Sequence, residues 1–185
     1  MEHPETLSTE EIYNGKTFNV RIDDVREGEL TYKREIVEHR GSAVIVPLFD
    51  DGTVALVRQY RHPAGKYLLE LPAGSLEPGE DPLTCARREL EEEIGCTATT
   101  FEHLVSFYVS PGFVTEKMHL YLATGLTETA QNLDDDETID IVRLQLQEAM
   151  AKCRDGTIED AKTIIGLAFT SKRLESRLLG ALHCT

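Results

Sequence analysis

The chain has 185 residues, and its 19 basic and 33 acidic side chains give a formal net charge of −14. Hydrophobic residues make up 41% of the sequence and charged residues 28%, which is typical of a globular domain and excludes disordered or collagen-like chains. The acidic surface also disfavours nucleic acid and anionic membranes as partners, because binding many phosphates requires clustered Lys and Arg. At about 150 residues per domain, the length indicates one domain with room for a small appendage.

The start of the chain lacks the features of a targeting signal. Its first residues, MEHPETLSTEE, are acidic, whereas a secretory signal is basic and then apolar. No apolar run approaches the roughly 18 residues of a membrane-spanning helix. The four cysteines are widely spaced without a CxxC pair, which favours reduced thiols. We therefore expect a cytoplasmic protein without a membrane partner.

Residues 1–40 differ in character from the rest of the chain. They contain two or three short strands that are rich in charge, with turns at Asn14-Gly15 and Glu27-Gly28. Such strands hold too few large apolar residues to form a core alone, so they must pack on the rest of the molecule or on a second copy. We therefore divide the chain into an N-terminal strand region, 1–40, and a main domain, 41–185.

The main domain begins with strand signals. Residues 43–49, AVIVPLF, read as a buried strand, and the Asp50-Asp51-Gly52 turn predicts that residues 53–60 form its hairpin partner. Another strand, YLLELP, follows. Asp81 and Pro82 then predict the start of a helix that Gly95 ends.

The remaining chain continues as mixed elements. The alternation of apolar and polar residues predicts strands and the helical periodicity predicts a short and a long helix. These elements are FEHLVSFYV, KMHLYLATG and IDIVRL as strands, then LQEAMAKCRDG and residues 160–184 as helices. Strands that outnumber helices in this order indicate an α+β fold or a mixed α/β/α sandwich.

The predicted helix carries a concentrated set of carboxylates. Glu89, Glu92 and Glu93 stand at i, i+3 and i+4 and so project from one face, where they repel one another unless a cation lies among them. Hard oxygen ligands suit Mg²⁺ or Mn²⁺. Arg88 can hold Glu92 one turn away. Taken alone, a run such as ELEEE more often forms a solvated charged face.

The wider spacing resembles the Nudix box of the Nudix hydrolase family. Gly74, five residues, Glu80, seven residues and then RELEEEIG follow that pattern, and only Cys96 replaces the usual aliphatic residue. The resemblance implies an α/β/α sandwich with a mixed sheet that hydrolyses a nucleoside diphosphate linked to another moiety with the help of divalent cations. It also implies that the metal ligands are Glu89, Glu92, Glu93 and the backbone carbonyl of Ala73.

The flanking segments resemble the ADP-ribose pyrophosphatase branch of this family. The similar stretches are VRQYRHP, LLELPAG and VSPGFVTEK, which includes the expected proline at Pro111. The resemblance implies that Arg61 contacts a substrate phosphate and that Glu116 lies in the nucleotide site. Phe113 is either a platform for the nucleobase or a loop anchor. The branch is commonly a homodimer with exchanged N-terminal strands.

A second acidic run, residues 134–140, precedes a predicted strand. In the ADP-ribose branch a glutamate in this loop is the catalytic base or positions the water. Glu137 fits that role best, with Asp135 and Asp136 close by and Glu92 as the alternative base.

These features together predict Mg²⁺-dependent hydrolysis of ADP-ribose, or of a related nucleoside diphosphate sugar, to AMP and ribose 5-phosphate, with Arg88 orienting Glu92. A GDP- or UDP-sugar hydrolase is one alternative, and a non-catalytic nucleotide sensor on the same scaffold is another.

Overall fold

The computed structural model describes residues 3–133 and 137–182. Within them the chain forms ten strands, three α-helices and a short 3₁₀ turn at His62–Ala64. The elements are β1 (Glu5–Asn14), β2 (Asn19–Glu27), β3 (Leu30–Glu38), β4 (Ser42–Pro47), β5 (Thr53–Arg61), β6 (Lys66–Glu70), β7 (Ala73–Ser75), α1 (Pro82–Ile94), β8 (Cys96–Tyr108), β9 (Lys117–Glu128), β10 (Ile139–Gln145), α2 (Leu146–Arg154) and α3 (Ala161–Leu182).

The N-terminal strands β1, β2 and β3 form an antiparallel sheet of their own. The predicted turns at Asn14-Gly15 and Glu27-Gly28 connect them, and Gly28 adopts the left-handed φ of +59° that favours glycine. The sheet attaches to the main domain at the end of β3, where the Val37 amide donates to the Phe113 carbonyl at 2.8 Å and the Thr115 amide donates to the Val37 carbonyl at 2.9 Å. Every residue of β1 is exposed.

Two further sheets build the main domain. One has the order β7-β4-β9-β8 with β4 and β9 parallel, and the other has the antiparallel order β10-β5-β6. The predicted hairpin of β4 with β5 is therefore wrong. Within the described residues, a single isolated bridge, Leu48 with Val54, joins the two chain segments. Both strands are buried and need partners on both edges, and β7 and β9 take the edges of β4 while β6 and β10 take those of β5.

Alternating residues of β4 pack against helices on opposite sides. Ala43 and Ile45 share a buried cluster with Leu90 of α1. Val44 and Val46 belong to a second cluster that includes Leu167 of α3. Since successive side chains of a strand point to opposite faces, both faces of β4 are covered. The expected mixed α+β sandwich is therefore confirmed.

The helix α1 has the limits that the sequence predicts. The Asp81 carboxylate accepts hydrogen bonds from the amides of Leu83 at 3.0 Å and Thr84 at 3.3 Å, and Pro82 begins the helix. Gly95 ends it with a φ of +66°. The Gly95 carbonyl then holds the chain that follows β9, because it accepts a hydrogen bond from the Thr129 amide at 2.7 Å.

None of the helices in residues 3–133 and 137–182 is long and apolar enough to cross a bilayer. Cys85, Cys96 and Cys153 carry free thiols. Cys184 and the last residues of the predicted C-terminal helix lie outside the described residues.

We expect Gly95→Ala to lower the free energy of unfolding more than Gly65→Ala does. The two glycines have φ values of +66° and +67°, so each alanine incurs about 1 kcal/mol of left-handed strain. A Cβ at Gly95 would also lie 2.9 Å from the Gln131 amide nitrogen, whereas one at Gly65 meets no described atom within 4 Å. Urea denaturation measures both losses. Equal losses would mean that the segment beside Gly95 shifts without cost.

Candidate active site

A cleft of about 770 Å³ opens where the N-terminal sheet meets the main domain. The turn between β1 and β2, the end of β3, β5, the chain around β7, α1 and Glu137 all contribute to its walls. The lining residues are Gly15, Lys16, Thr17, His39, Arg40, Gln59, Arg61, Ala73, Gly74, Ser75, Leu76, Glu77, Arg88, Glu89, Glu92 and Glu137. The cleft thus collects segments that are distant in sequence.

The carboxylate face of α1 points toward this cleft. Glu89 and Glu93 are buried, with 8% and 4% of their surface exposed, and Glu92 is half-buried. Burial, with the nearby charges of Glu92 and Glu137, raises the pKa of Glu89 to about 7 although Arg88 opposes the rise. Burial and the charge of Glu89 raise the pKa of Glu93 to about 8. Two like charges therefore share a site with little water.

Gly74 makes room for one of these carboxylates. A Cβ built on Gly74 would lie 1.8 Å from Glu89 Oε1, so any other residue here would displace the Glu89 carboxylate. The Glu89 carboxylate lies directly against the backbone of β7. This close approach explains why the predicted motif begins with a glycine.

Arg88 binds the carboxylates together. Its Nη1 donates to Glu89 at 2.6 Å and to Glu92 at 2.9 Å. Its Nε donates to Glu80 at 3.2 Å, and Glu80 in turn accepts from the Glu77 amide at 2.9 Å. One guanidinium thus connects the loop before α1 to two positions of the carboxylate face.

Glu93 faces the backbone at the start of β7. Its carboxylate accepts a hydrogen bond from the Ala73 amide at 3.0 Å. Glu93 does not itself line the cleft, whereas Ala73 does. Glu93 therefore fixes the strand segment that contains the Ala73 carbonyl, which the family resemblance implies is a metal ligand.

Arg61 lies on the wall of the cleft formed by β5. Its Nε and Nη2 donate to the two carboxylate oxygens of buried Glu70 at 2.7 and 2.8 Å. Alternation along the strand places Gln59 in the same cleft. Arg58 points away, toward Asp140 at 3.4 Å and the ring of Tyr67.

Glu137 reaches the cleft from the connection between β9 and β10. The chain before it is bound to the end of α1, because the Asn132 amide donates to the Glu92 carbonyl at 3.0 Å and the Gln131 side chain donates to the Glu93 carbonyl at 2.7 Å. The alternative acids Asp135 and Asp136 lie outside the described residues.

Two of the residues expected to bind substrate do not line this cleft. Glu116 accepts a hydrogen bond from the Ser42 hydroxyl at 2.7 Å and lies 3.7 Å from His39 Nδ1. Phe113 is half-exposed in an apolar groove beside Ile12 and Ile36 of the N-terminal sheet. Their roles remain predictions.

The donor set suits a hard divalent cation. Every candidate ligand is an oxygen, and the single charge of Arg88 is shared among Glu80, Glu89 and Glu92, so the buried acids keep excess negative charge. Within residues 3–133 and 137–182, no three His, Cys, Asp or Glu side chains already converge as a closed metal site. Arg88 Nη1 lies between Glu89 and Glu92 instead.

Several cleft residues were not identified from the sequence. Gln59 belongs to the RQYR segment and shares the face of Arg61, so strand alternation could have found it. His39 and Arg40 lie where the N-terminal region joins the main domain, and their contribution depends on how the two parts pack. No local pattern marks them.

Comparisons with known proteins identify the family of this chain. The family model described as the NUDIX domain matches residues 39–165. The methanol dehydrogenase activator of Bacillus methanolicus is 43% identical over 168 residues, covering 89% of this chain and 90% of the relative. The ADP-ribose pyrophosphatase of Bacillus subtilis (strain 168) is 37% identical over 168 residues, with the same coverage of 89% and 90%.

Two further similarities are to a relative named for a different nucleotide sugar and to a solved structure. A GDP-mannose pyrophosphatase of Cronobacter sakazakii is 35% identical over 160 residues, covering 80% of this chain and 83% of the relative. The crystal structure of an ADP compounds hydrolase superposes with a TM-score of 0.82 at 25% identity, over 96% of this chain and 97% of that one.

We expect the metal-free protein to lose stability as the pH rises from about 4.5 to 8. The pKa values of Glu89 and Glu93 lie above the ordinary 4.5, so the folded state holds these protons more tightly than the unfolded state. The resulting stabilisation is complete at low pH and disappears as the pH passes the folded values. Glu93→Gln should remove much of this dependence, on the order of a few kcal/mol.

Urea denaturation at pH 5 and pH 8 in the presence of a chelator measures this effect. Glu91→Gln, an exposed position on the same helix, is the control. Its free energy of unfolding should change between pH 5 and pH 8 by the same amount as that of the original protein. If Glu93→Gln lost as much stability between pH 5 and pH 8 as the original protein, the raised pKa of the Glu93 carboxyl would be contradicted.

Proposed function

The chain belongs to the NUDIX domain family, and on that premise we propose that it hydrolyses the pyrophosphate bond of ADP-ribose to AMP and ribose 5-phosphate with Mg²⁺. Membership confirms the resemblance found in the sequence, its ADP-ribose pyrophosphatase branch and the hydrolase class. The ADP-ribose substrate, the products and the metal are the proposed part.

One observation carries this proposal. Glu89 and Glu92 line the same cleft as Arg61 and Glu137, with buried Glu93 one turn from Glu89, so several carboxylates and a guanidinium lie around one space. A cleft of about 770 Å³ is large enough for a nucleoside diphosphate sugar. Carboxylates alone would repel a diphosphate, but they can bind a diphosphate that carries divalent cations.

In the proposed arrangement Glu89, Glu92, Glu93 and the carbonyl of Ala73 hold Mg²⁺, for which Mn²⁺ could substitute. When bound, the cation neutralises diphosphate charge and lowers the pKa of water. Arg88 keeps Glu89 and Glu92 at fixed separation through its Nη1.

The chain's other groups act on the diphosphate and the water. Arg61 holds a phosphate oxygen. Glu137 or Glu92 takes the proton as water adds to one phosphorus, and the bond from that phosphorus to the bridging oxygen breaks. Glu116 and Phe113 are proposed to contact the nucleotide, although neither lines the cleft of this chain alone.

We further propose a homodimer with exchanged N-terminal strands. Every residue of β1 is exposed, and three of them are large and apolar: Leu7, Ile12 and Tyr13 have 46–53% of their surface exposed. Ile12 also borders the groove that contains Phe113. A second copy could cover these apolar side chains. The division into regions 1–40 and 41–185 and a cytoplasmic location remain predictions, as does the absence of nucleic-acid and membrane partners.

The alternatives differ in substrate or in activity. Relatives with GDP-mannose pyrophosphatase in their names favour a GDP-sugar as the second candidate. A UDP-sugar is supported by no specific feature. A non-catalytic sensor would leave the full set of box carboxylates without a role.

We expect Glu92→Gln and Glu93→Gln each to lower kcat by several orders of magnitude, since each removes a charge proposed to hold the cation. Activity assays with Mg²⁺ measure the loss, and circular dichroism checks the fold. Glu91→Gln, exposed on α1, should retain near-normal turnover. Near-normal activity in both Glu92→Gln and Glu93→Gln would overturn the metal assignment.

A substrate panel tests the reaction itself. We expect ADP-ribose with Mg²⁺ to give AMP at a higher kcat/KM than GDP-mannose or UDP-glucose, with a chelator abolishing turnover. Chromatographic separation of AMP, GMP and UMP identifies each product. Preference for GDP-mannose would favour the second candidate, and no turnover of any compound would favour the sensor.

A further inference from the structure

A buried network of charges lies directly behind Arg61. Glu70 at the end of β6 is 2% exposed and accepts both bonds from Arg61. Its Oε2 also pairs with the ammonium group of Lys162, near the start of α3 and 92 residues further along the chain. Lys162 is 8% exposed and does not line the cleft.

The start of α3 is fixed at this point by further bonds. Lys162 also pairs with Asp160 at 3.1 Å. The other oxygen of Asp160 accepts from the Thr163 hydroxyl at 2.6 Å, and that hydroxyl accepts from the Leu71 amide at 2.7 Å. The ammonium group of Lys162 is therefore held beside Glu70 and not free to turn to solvent.

The charges in this network have a consequence for the cleft. Arg61 alone with Glu70 would form a neutral pair, and the charge of Glu70 would offset part of the attraction between Arg61 and an incoming phosphate. Lys162, which Glu70 shares with Asp160, pairs with the same Glu70 oxygen that Arg61 Nη2 contacts and so offsets part of the charge of Glu70. The positive charge of Arg61 then remains effective toward the cleft, while the two bonds to Glu70 fix the orientation of its guanidinium.

We propose that Lys162 is a positioning residue that offsets the charge of Glu70 beside Arg61 and so strengthens the binding of the substrate diphosphate by Arg61. This inference rests on the proposed phosphate role of Arg61. It assigns to the start of α3 an effect on substrate affinity without contact with the substrate.

The test is the binding of ADP, a diphosphate without a second sugar, measured by calorimetry in Mg²⁺. We expect Lys162→Met to weaken ADP binding about tenfold, in the range of one lost charge-assisted interaction. Lys162→Arg, which keeps the charge, should bind within about threefold of the original protein. Lys152→Met on α2, with a side chain 30% exposed, is the matched control and should change nothing.

A double-mutant comparison separates this role from a structural one. If Lys162 acts through Arg61, Lys162→Met should cause no further loss when added to Arg61→Gln. A merely structural role would lower affinity in both backgrounds. Thermal unfolding of each variant verifies that the fold is retained.

The outcomes distinguish this inference from the proposed reaction. Unchanged ADP binding in Lys162→Met, or an equal loss in the Arg61→Gln background, overturns the inference even if the original protein hydrolyses ADP-ribose. Loss that depends on Arg61 supports the inference even if ADP-ribose is not turned over. Failure of the original protein to bind ADP would remove the phosphate role of Arg61 and the inference with it.

Discussion

The burial of two carboxylates on one face of α1 is the constraint on which the rest of the site depends. Glu89 and Glu93 lie one turn apart with almost no exposed surface, and burial raises the pKa of both. The surroundings are arranged to tolerate them. Gly74 leaves space for one carboxylate, the Ala73 amide bonds the other, and Arg88 shares its charge among the acids nearby. A bound cation would complete this compensation.

The parts that the sequence predicted are those encoded locally. Asp81 and Gly95 define the ends of α1 within a few residues, and helical spacing alone places Glu89 and Glu93 on one face. Both edges of β4 and of β5 are taken by other strands, several of them distant in sequence. The turn between β4 and β5 therefore predicted a hairpin that does not form. The contact of Glu70 with Lys162 joins residues 92 positions apart, and no local pattern encodes it.

The net charge of −14 conceals an uneven distribution. Four cations, Lys16, Arg40, Arg61 and Arg88, line the same cleft as Glu89, Glu92 and Glu137. They come from four separate segments, so a sum over the sequence cannot reveal their convergence. Acidic and basic side chains therefore line one space, in which a diphosphate and its cations could both find partners. Overall acidity still argues against long polyanions, which would need an extended basic surface.

The attachment of Asn132 to the end of α1 also limits where Glu137 can go. Glu137 stands two residues before β10 begins, so its backbone cannot move more than about 7 Å from the edge of that strand. On its other side, Gln131 and Asn132 are tethered to the same helix that carries Glu92 and Glu93. The position of the Glu137 carboxylate is thus restricted by the attachments of the chain before and after it. Residues inserted before Glu137 would lengthen its connection to α1, but they would leave its two-residue connection to β10 unchanged.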